Sequence, residues 1–392
     1  MTLPRIKIYH LIANLAMITL SILICLIFVD LVLHLTKYRS LLKREVYPKN
    51  YFVKDDILGY KIGKNFSTIT HYFADGFYDI WSNEIGCFDR TFNQDQDFIY
   101  LTGDSFAWGF TPFEEKWGTL IEKLIGTRVL KCGVGGYGTK QEYLKTKMDL
   151  ENLPKPKLII LGYLSENDIE DDFNYPNYSV YDGYLVNNLY KEDISALDAE
   201  KIYQNLYKYC SKNPKHHTIE GLKCWFNNHS IVFNLVKNNT RNVIQKILPD
   251  SLLTRLGIIN QGEKTVQFEQ SPVNLSQNLL NLLSFDSYAK ENKINLLVVL
   301  IPGNNEKQKE FLRGMNIDFI DLDTEFKKYD MNYRKDLYWS SDGHWNVKGN
   351  HLAGYIVAKY LLQKGYYLDL ASKEAQINEI EKRIKNEFYL EK

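Results

Sequence analysis

Hydrophobic and polar positions follow three successive patterns along the chain. From Leu11 to Val29 no residue is charged, and most are Leu, Ile, Ala, Val, Met or Phe. A helix of that length, rising about 1.5 Å per residue, spans the roughly 30 Å hydrocarbon core of a bilayer. Residues 51–90 instead alternate over short stretches, as in Ser67-Thr68-Ile69-Thr70-His71-Tyr72-Phe73, among Gly, Asp and Asn. That pattern predicts short antiparallel strands and turns. From residue 97 onward, short apolar runs alternate with helix-compatible segments. Strands are expected at 98–101, 128–132, 157–162, 294–301 and 319–322, and helices at 113–125, 141–150, 275–290 and 351–364. Apolar strands separated by helices predict an α/β fold, a parallel sheet covered by helices on both faces.

The pattern divides the chain into a membrane anchor (1–36), a neck and β-rich segment (37–96), a first part of an α/β domain (97–170), an insertion (171–270), a second part (271–366) and a charged C-terminal helix (367–392). The neck is helix-compatible over 38–44 and should end before Tyr47-Pro48, an extended dipeptide. The insertion opens with a Tyr- and Asn-rich portion and continues with helical patterns. It reads either as peripheral decoration or as a lid that selects substrate. The tail carries a sparse apolar stripe, Ile377, Ile380 and Ile384, expected on a surface helix.

The apolar run is longer than the core of a secretory signal and meets no Ala-x-Ala-like site. It therefore reads as a retained single-pass anchor. Its flanking charges argue for a cytoplasmic domain. Arg5 and Lys7 precede it, whereas Lys37, Arg39, Lys43, Arg44 and Lys49 follow. Against that count stands an extracytoplasmic placement of the large domain, and the conflict stays open here. Asp30 within the apolar stretch would permit pairing with another membrane protein.

Lys plus Arg number 48 and Asp plus Glu 48. With no basic stripe, the balance argues against nucleic acid as a partner. The 28 tyrosines lie mostly outside the hydrophobic runs, hinting at polar or carbohydrate-facing surfaces. Cys25, Cys87, Cys132, Cys210 and Cys224 form no CxxC pair and no metal-ligand spacing, so neither a metal nor a cofactor is expected. Cys210 and Cys224 either close a short loop in an oxidising compartment or remain ordinary thiols.

Chemistry-bearing residues gather at the strand tips. The first strand stops at Gly103-Asp104-Ser105, the second runs into GVGGYG (133–138), and the third into Gly162 and then Ser165-Glu166-Asn167-Asp168. GVGGYG satisfies G-x-G-x-x-G, but it follows the second strand, and no acidic residue closes the next one. A dinucleotide site is rejected on both counts. In an open parallel sheet, ligands bind at the carboxyl ends of the strands. Ser105 either caps the next helix or is aimed at a substrate. Of the eight histidines, His344 alone has a carboxylate, Asp342, two residues upstream in a glycine-containing loop that enters a helix. Asp342-Gly343-His344 is either a capped turn or an acid–base pair able to activate a serine.

Together these residues resemble the SGNH/GDSL hydrolase superfamily, whose four blocks occur here in order. Gly103-Asp104-Ser105 matches the nucleophile block, and Cys132-Gly133-Val134-Gly135-Gly136 the glycine block. Gly162 to Asp168 resembles a stretched Gly-x-Asn-Asp block, and Asp342-Gly343-His344 the acid–base block. The resemblance spans residues 97–168 and 296–362. It departs from the usual pattern where Ser341 stands three residues before the histidine. The Asp-x-His spacing is also similar to that of alginate-type O-acetyltransferase relatives. The resemblance implies a three-layer α/β/α sandwich and metal-free acyl-ester chemistry. Ser105 would be the nucleophile, His344 the base and Asp342 its orienting acid, with Gly136 and Asn167 completing the oxyanion hole. Three functions remain in view: an esterase acting on O-acyl groups of an envelope carbohydrate, an O-acetyltransferase using the same triad, and a non-catalytic glycan-binding or assembly protein. Lysophospholipase activity is a variant of the first.

Overall fold

The computed structural model describes residues 5–35, 47–73, 76–173, 175, 177–187, 226, 229–233, 235–236, 272–329, 336–339, 343–366 and 370–388. Two compact units are present. One comprises 1–46, 72–76 and 207–267, and the other 47–71, 77–206 and 268–392.

In the first unit, helix α1 (Arg5–Leu33) contains a segment, Ala13–Leu33, long and apolar enough to cross a membrane. Asp30 on this helix has partners in its own chain. Its Oδ1 accepts from the Ser230 hydroxyl at 3.1 Å and from the Val232 N–H at 2.8 Å. These bonds within the chain lower the cost of holding a polar group on an apolar helix. The helical neck at 38–44 and the pair Cys210 and Cys224 lie outside the described residues.

The second unit is built on a five-stranded sheet. Ahead of it, β1 (Phe52–Asp55) and β2 (Gly59–Ile62) pair antiparallel; β3 (Ile69–Phe73) and β4 (Gly76–Ile80), which include residues 72–76 of the first unit, make a two-stranded sheet of their own. The main sheet comprises β5 (Phe98–Gly103), β6 (Arg128–Lys131), β7 (Leu158–Tyr163), β10 (Asn295–Leu300) and β11 (Asp318–Asp321). Between β7 and β10, β8 (Tyr178–Tyr181) and β9 (Tyr184–Asn187) form a hairpin. The order across the main sheet is β11-β10-β7-β5-β6 and every pairing is parallel. Strand order reverses at β5, so the crevice outside its carboxyl end is the place where such sheets take ligands.

Alternate strand residues enter two separate cores, as the two-residue period requires. Ile99, Leu101, Ile160, Leu297 and Val299 pack with helices Trp117–Ile125, Val347–Lys364 and Leu370–Phe388. Tyr100, Leu130, Ile159, Leu161, Val298 and Leu300 pack on the other face with Leu282 and Phe285 of the helix Pro272–Glu291 and Leu312 of Glu306–Gly314. These are the helix, sheet and helix layers expected from the sequence.

Three details refine the expectations from sequence. The C-terminal helix exposes most of its charged residues and buries its apolar stripe, Ile380 and Ile384 with Phe388, in the first core. Each such side chain is worth about 1.5–3 kcal/mol when buried. Some tyrosines do not face solvent: Tyr51, Tyr60, Tyr78, Tyr100, Tyr137 and Tyr163 are buried. Finally, the closing helix begins at Val347, four residues earlier than expected. Asn346 caps it by accepting from the Gly349 N–H, and such a cap fixes a helix start.

Candidate active site

The nucleophile candidate sits where β5 stops. Gly103 has φ +142°, and a Cβ there would come within 2.5 Å of the Gly162 carbonyl oxygen. Only glycine allows the two strand tips to approach so closely. Asp104 follows as the cap of the short helix Ser105–Trp108, its Oδ1 accepting from the Phe106 N–H at 2.8 Å. Ser105 is therefore the first residue of a helix standing on the sheet edge, and it is buried. Capping and nucleophile were competing readings of Ser105; the cap is Asp104.

His344 reaches the same point from far along the chain. Its Nε2 lies 2.7 Å from Ser105 Oγ. The loop that carries it is pinned on both sides. Tyr338 and Trp345 form a bridge, the His344 carbonyl accepts from the Trp339 N–H at 3.0 Å, and the Leu337 carbonyl from the Asn346 N–H at 2.9 Å. The imidazole stacks on Phe110, centroids 3.9 Å apart. Trp339 donates its indole N–H to the Phe110 carbonyl at 2.7 Å, so one aromatic pair holds both ring and loop. Sequence reasoning passed over Phe110 and Trp339; the aromatic run Phe106-Ala107-Trp108-Gly109-Phe110 behind the serine was the available signal. Asp342 lies outside the described residues.

Asn167, on the helix Ser165–Phe173, donates its side-chain N–H to Asp104 Oδ2 at 3.0 Å. One amide N–H is thereby used to fix the side chain, and an amide carries a second. Burial pushes the Asp104 carboxyl up. Bonds from Phe106 and Asn167 and the nearby charge of His344 oppose that rise. Behind Asn167, burial pushes the carboxyls of Glu142, Asp168 and Asp171 well above the usual carboxylate range, and their mutual repulsion adds to the effect.

The glycine loop is laddered to the nucleophile strand. The Leu101 carbonyl accepts from the Cys132 N–H at 2.8 Å and the Gly103 carbonyl from the Val134 N–H at 3.0 Å. A Cβ on Gly135 would lie 3.8 Å from Ser105 Cβ. Ser105, His344, the Gly135–Gly136 loop and Asn167 thus converge on one end of the sheet. A disulfide joins Cys87 to Cys132 with Cα atoms 4.6 Å apart. This pair was not among the possibilities raised by the sequence, where only Cys210 and Cys224, outside the described residues, were considered for a bridge. Cys87 and Cys132 are 45 residues apart, and their meeting depends on where the β-rich segment packs, which spacing does not reveal.

No protein-family model matches the chain, and no curated protein matches it. Among solved structures, a protein from Desulfitobacterium hafniense DCB-2 assigned as a lipolytic member of the G-D-S-L family matches at 13% identity and a TM-score of 0.34. It covers 68% of this chain and 99% of its own. A protein from Bacteroides fragilis NCTC 9343 assigned as an acylhydrolase matches at 11% identity and a TM-score of 0.34, over 69% of this chain and 89% of its own. At those scores the geometry above carries the argument. In its parallel sheet and the order of its strand-tip blocks, the chain is similar to the SGNH/GDSL hydrolase superfamily.

Proposed function

We propose that the chain is a membrane-anchored SGNH-type serine esterase that cleaves O-acyl groups, O-acetyl in particular, from an envelope carbohydrate. The observation that carries this reading is the 2.7 Å approach of His344 Nε2 to Ser105 Oγ at the carboxyl end of the sheet. A serine hydroxyl becomes a competent nucleophile when a base can take its proton. Ser105 attacks the ester carbonyl while His344 accepts the hydroxyl proton. The resulting oxyanion is met by the backbone N–H groups of Ser105 and Gly136 and the second amide N–H of Asn167. Collapse of the tetrahedral species expels the alcohol, which takes its proton from His344. Water then enters by the same steps in reverse roles, releasing the carboxylic acid. Asp342 orients the imidazole.

The acyltransferase reading uses the same groups, with a sugar hydroxyl in place of water, and the Asp342-Gly343-His344 spacing favours it. The non-catalytic reading would be favoured by a Ser105 and His344 too far apart to hydrogen-bond, and their 2.7 Å approach weighs against it. The buried Cys87–Cys132 disulfide supports an extracytoplasmic placement of the catalytic domain, because disulfides persist in oxidising compartments. We weigh it above the count of flanking charges.

The test is covalent labelling of the detergent-solubilised protein with a fluorophosphonate probe, comparing wild type with Ser105→Ala and His344→Ala. Labelling confined to wild type is expected. Equal labelling of the Ser105→Ala variant would place the reactive group elsewhere and sink the reading. Acetate release against acetyl transfer to an oligosaccharide, from one donor ester, then separates hydrolase from transferase.

A further inference from the structure

Tyr60 lies on β2, outside the sheet that carries the four blocks, and its side chain is buried. Its hydroxyl donates to the Gly135 carbonyl oxygen at 2.8 Å. Carbonyl and N–H point to opposite sides of a trans peptide. Holding the Gly135 carbonyl on Tyr60 therefore turns the Gly136 N–H to the side away from Tyr60. The two faces of this loop are distinct. A Cβ on Gly136 would lie 2.9 Å from Tyr60 Oη and 2.7 Å from the Tyr178 ring, whereas one on Gly135 would lie 3.8 Å from Ser105 Cβ.

The peptide needs such a hold. It is flanked by glycine on both sides, and Gly136 has φ +77°. Neither residue has a Cβ to bar rotation of the peptide plane, so the flipped orientation is sterically open. Tyr60 itself is anchored. Its own carbonyl accepts from the Tyr137 hydroxyl, and its ring meets Phe52, Tyr137 and Tyr178 edge-on at centroid distances of 5.6, 5.2 and 5.9 Å. A phenylalanine would fill the same space without making the bond.

We propose that Tyr60 is a positioning residue for catalysis. Its hydroxyl holds the Gly135–Gly136 peptide in the one orientation that offers the Gly136 N–H to the oxyanion formed when Ser105 attacks. This rests on the esterase reading above. The donor acts on charge that develops only in the transition state, so the loss should fall on kcat and leave KM nearly unchanged.

The experiment compares full-length wild type, Ser105→Ala, Tyr60→Phe and Tyr51→Phe in detergent, using p-nitrophenyl acetate. Tyr51→Phe is the structural control, because it removes a buried hydroxyl that accepts from the Trp108 indole N–H at 3.0 Å. Tyr60→Phe is expected to lower kcat about ten- to a hundredfold, the range that a small misplacement costs. Its KM should stay within about twofold and the midpoint of its pH–rate profile should not move. Tyr51→Phe should lower Tm while keeping kcat. Wild-type kcat in Tyr60→Phe would overturn the proposal, as would a loss that appears only in KM or that matches Tyr51→Phe at equal loss of Tm. Hydrolysis by Ser105→Ala at the wild-type rate would instead show the site reading to be wrong, and the role of Tyr60 would fall with it.

Discussion

Removing the Cys87–Cys132 bridge by the double substitution Cys87→Ala and Cys132→Ala tests how the β-rich segment is tied to the site. The bridge closes a loop of 45 residues, for which chain entropy gives about 4 kcal/mol of stabilisation, acting on the unfolded chain. For a domain of this size that corresponds to a fall in Tm on the order of 10 °C. The native contacts around the bridge do not depend on it. Asn83 Oδ1 accepts from the N–H groups of Ile85, Gly86 and Cys87. Asp89 accepts from the Lys131 N–H at 2.8 Å and pairs with Arg128 at 3.0 Å, so a second clasp joins the same two segments. The glycine loop also keeps its ladder to β5. The double variant should therefore melt about 10 °C lower yet, at 20 °C, retain kcat within about threefold. Thermal melts with and without dithiothreitol, alongside thiol counting of the denatured protein, provide the assay. An unchanged Tm in the variant, with wild type carrying the bond, would refute the entropic argument. A collapse of kcat at full folding would show that the bridge shapes the glycine loop directly.

Two further outcomes follow from the polar groups around Asn167. Asn167→Ala should lower kcat by about 10²–10³-fold, the effect of losing one oxyanion donor; a loss confined to KM in steady-state kinetics would remove it from that role. Glu142 is buried and its folded-state carboxyl is held well above the usual range, chiefly by burial. Between the unfolded and folded values the native state binds the extra proton, so stability falls as pH rises through that window. Glu142→Gln should raise Tm at pH 8, and the gap should close near pH 4. A lower Tm for Glu142→Gln at pH 8 would mean that the carboxylate is ionised and paired.

The main sheet was legible because its strands are short apolar runs separated by amphipathic helices, and because tip residues such as Gly103 and Gly162 punctuate them. Ser105 and His344 were legible for a related reason: each sits in a short polar interruption next to an element that could be placed. The buried tyrosines and the partners of the C-terminal helix were harder to read, for a different reason. A tyrosine has a large apolar body with one polar tip, and composition counts the tip; burial depends on a partner for the hydroxyl. Tyr100 finds Asp149 at 2.6 Å and Tyr163 finds Asn278 at 2.6 Å, at sequence distances that no local pattern encodes. Ile377, Ile380 and Ile384 gave the right helix. The face they bury is set by helices Trp117–Ile125 and Val347–Lys364, whose docking is likewise non-local.

The segment 47–92 shows why site residues can be read locally and their supports cannot. It reads as a neck and a pair of hairpins, yet it grips the glycine loop and the helix that follows by four separate means. Tyr60 donates to the Gly135 carbonyl, Tyr137 donates to the Tyr60 carbonyl, Gln141 donates its side-chain N–H to the Leu58 carbonyl at 2.7 Å, and Cys87 is bonded to Cys132. Two of the four hold backbone atoms of β2 or Leu58, positions where side-chain identity is invisible to the bond. Tyr60 and Cys87 differ, since their own side chains make the contact. That is why the substitutions worth making in this segment are at those two residues. A four-block motif locates the reacting groups, while the orientation of a glycine–glycine peptide is fixed from outside the motif by whatever packs against it.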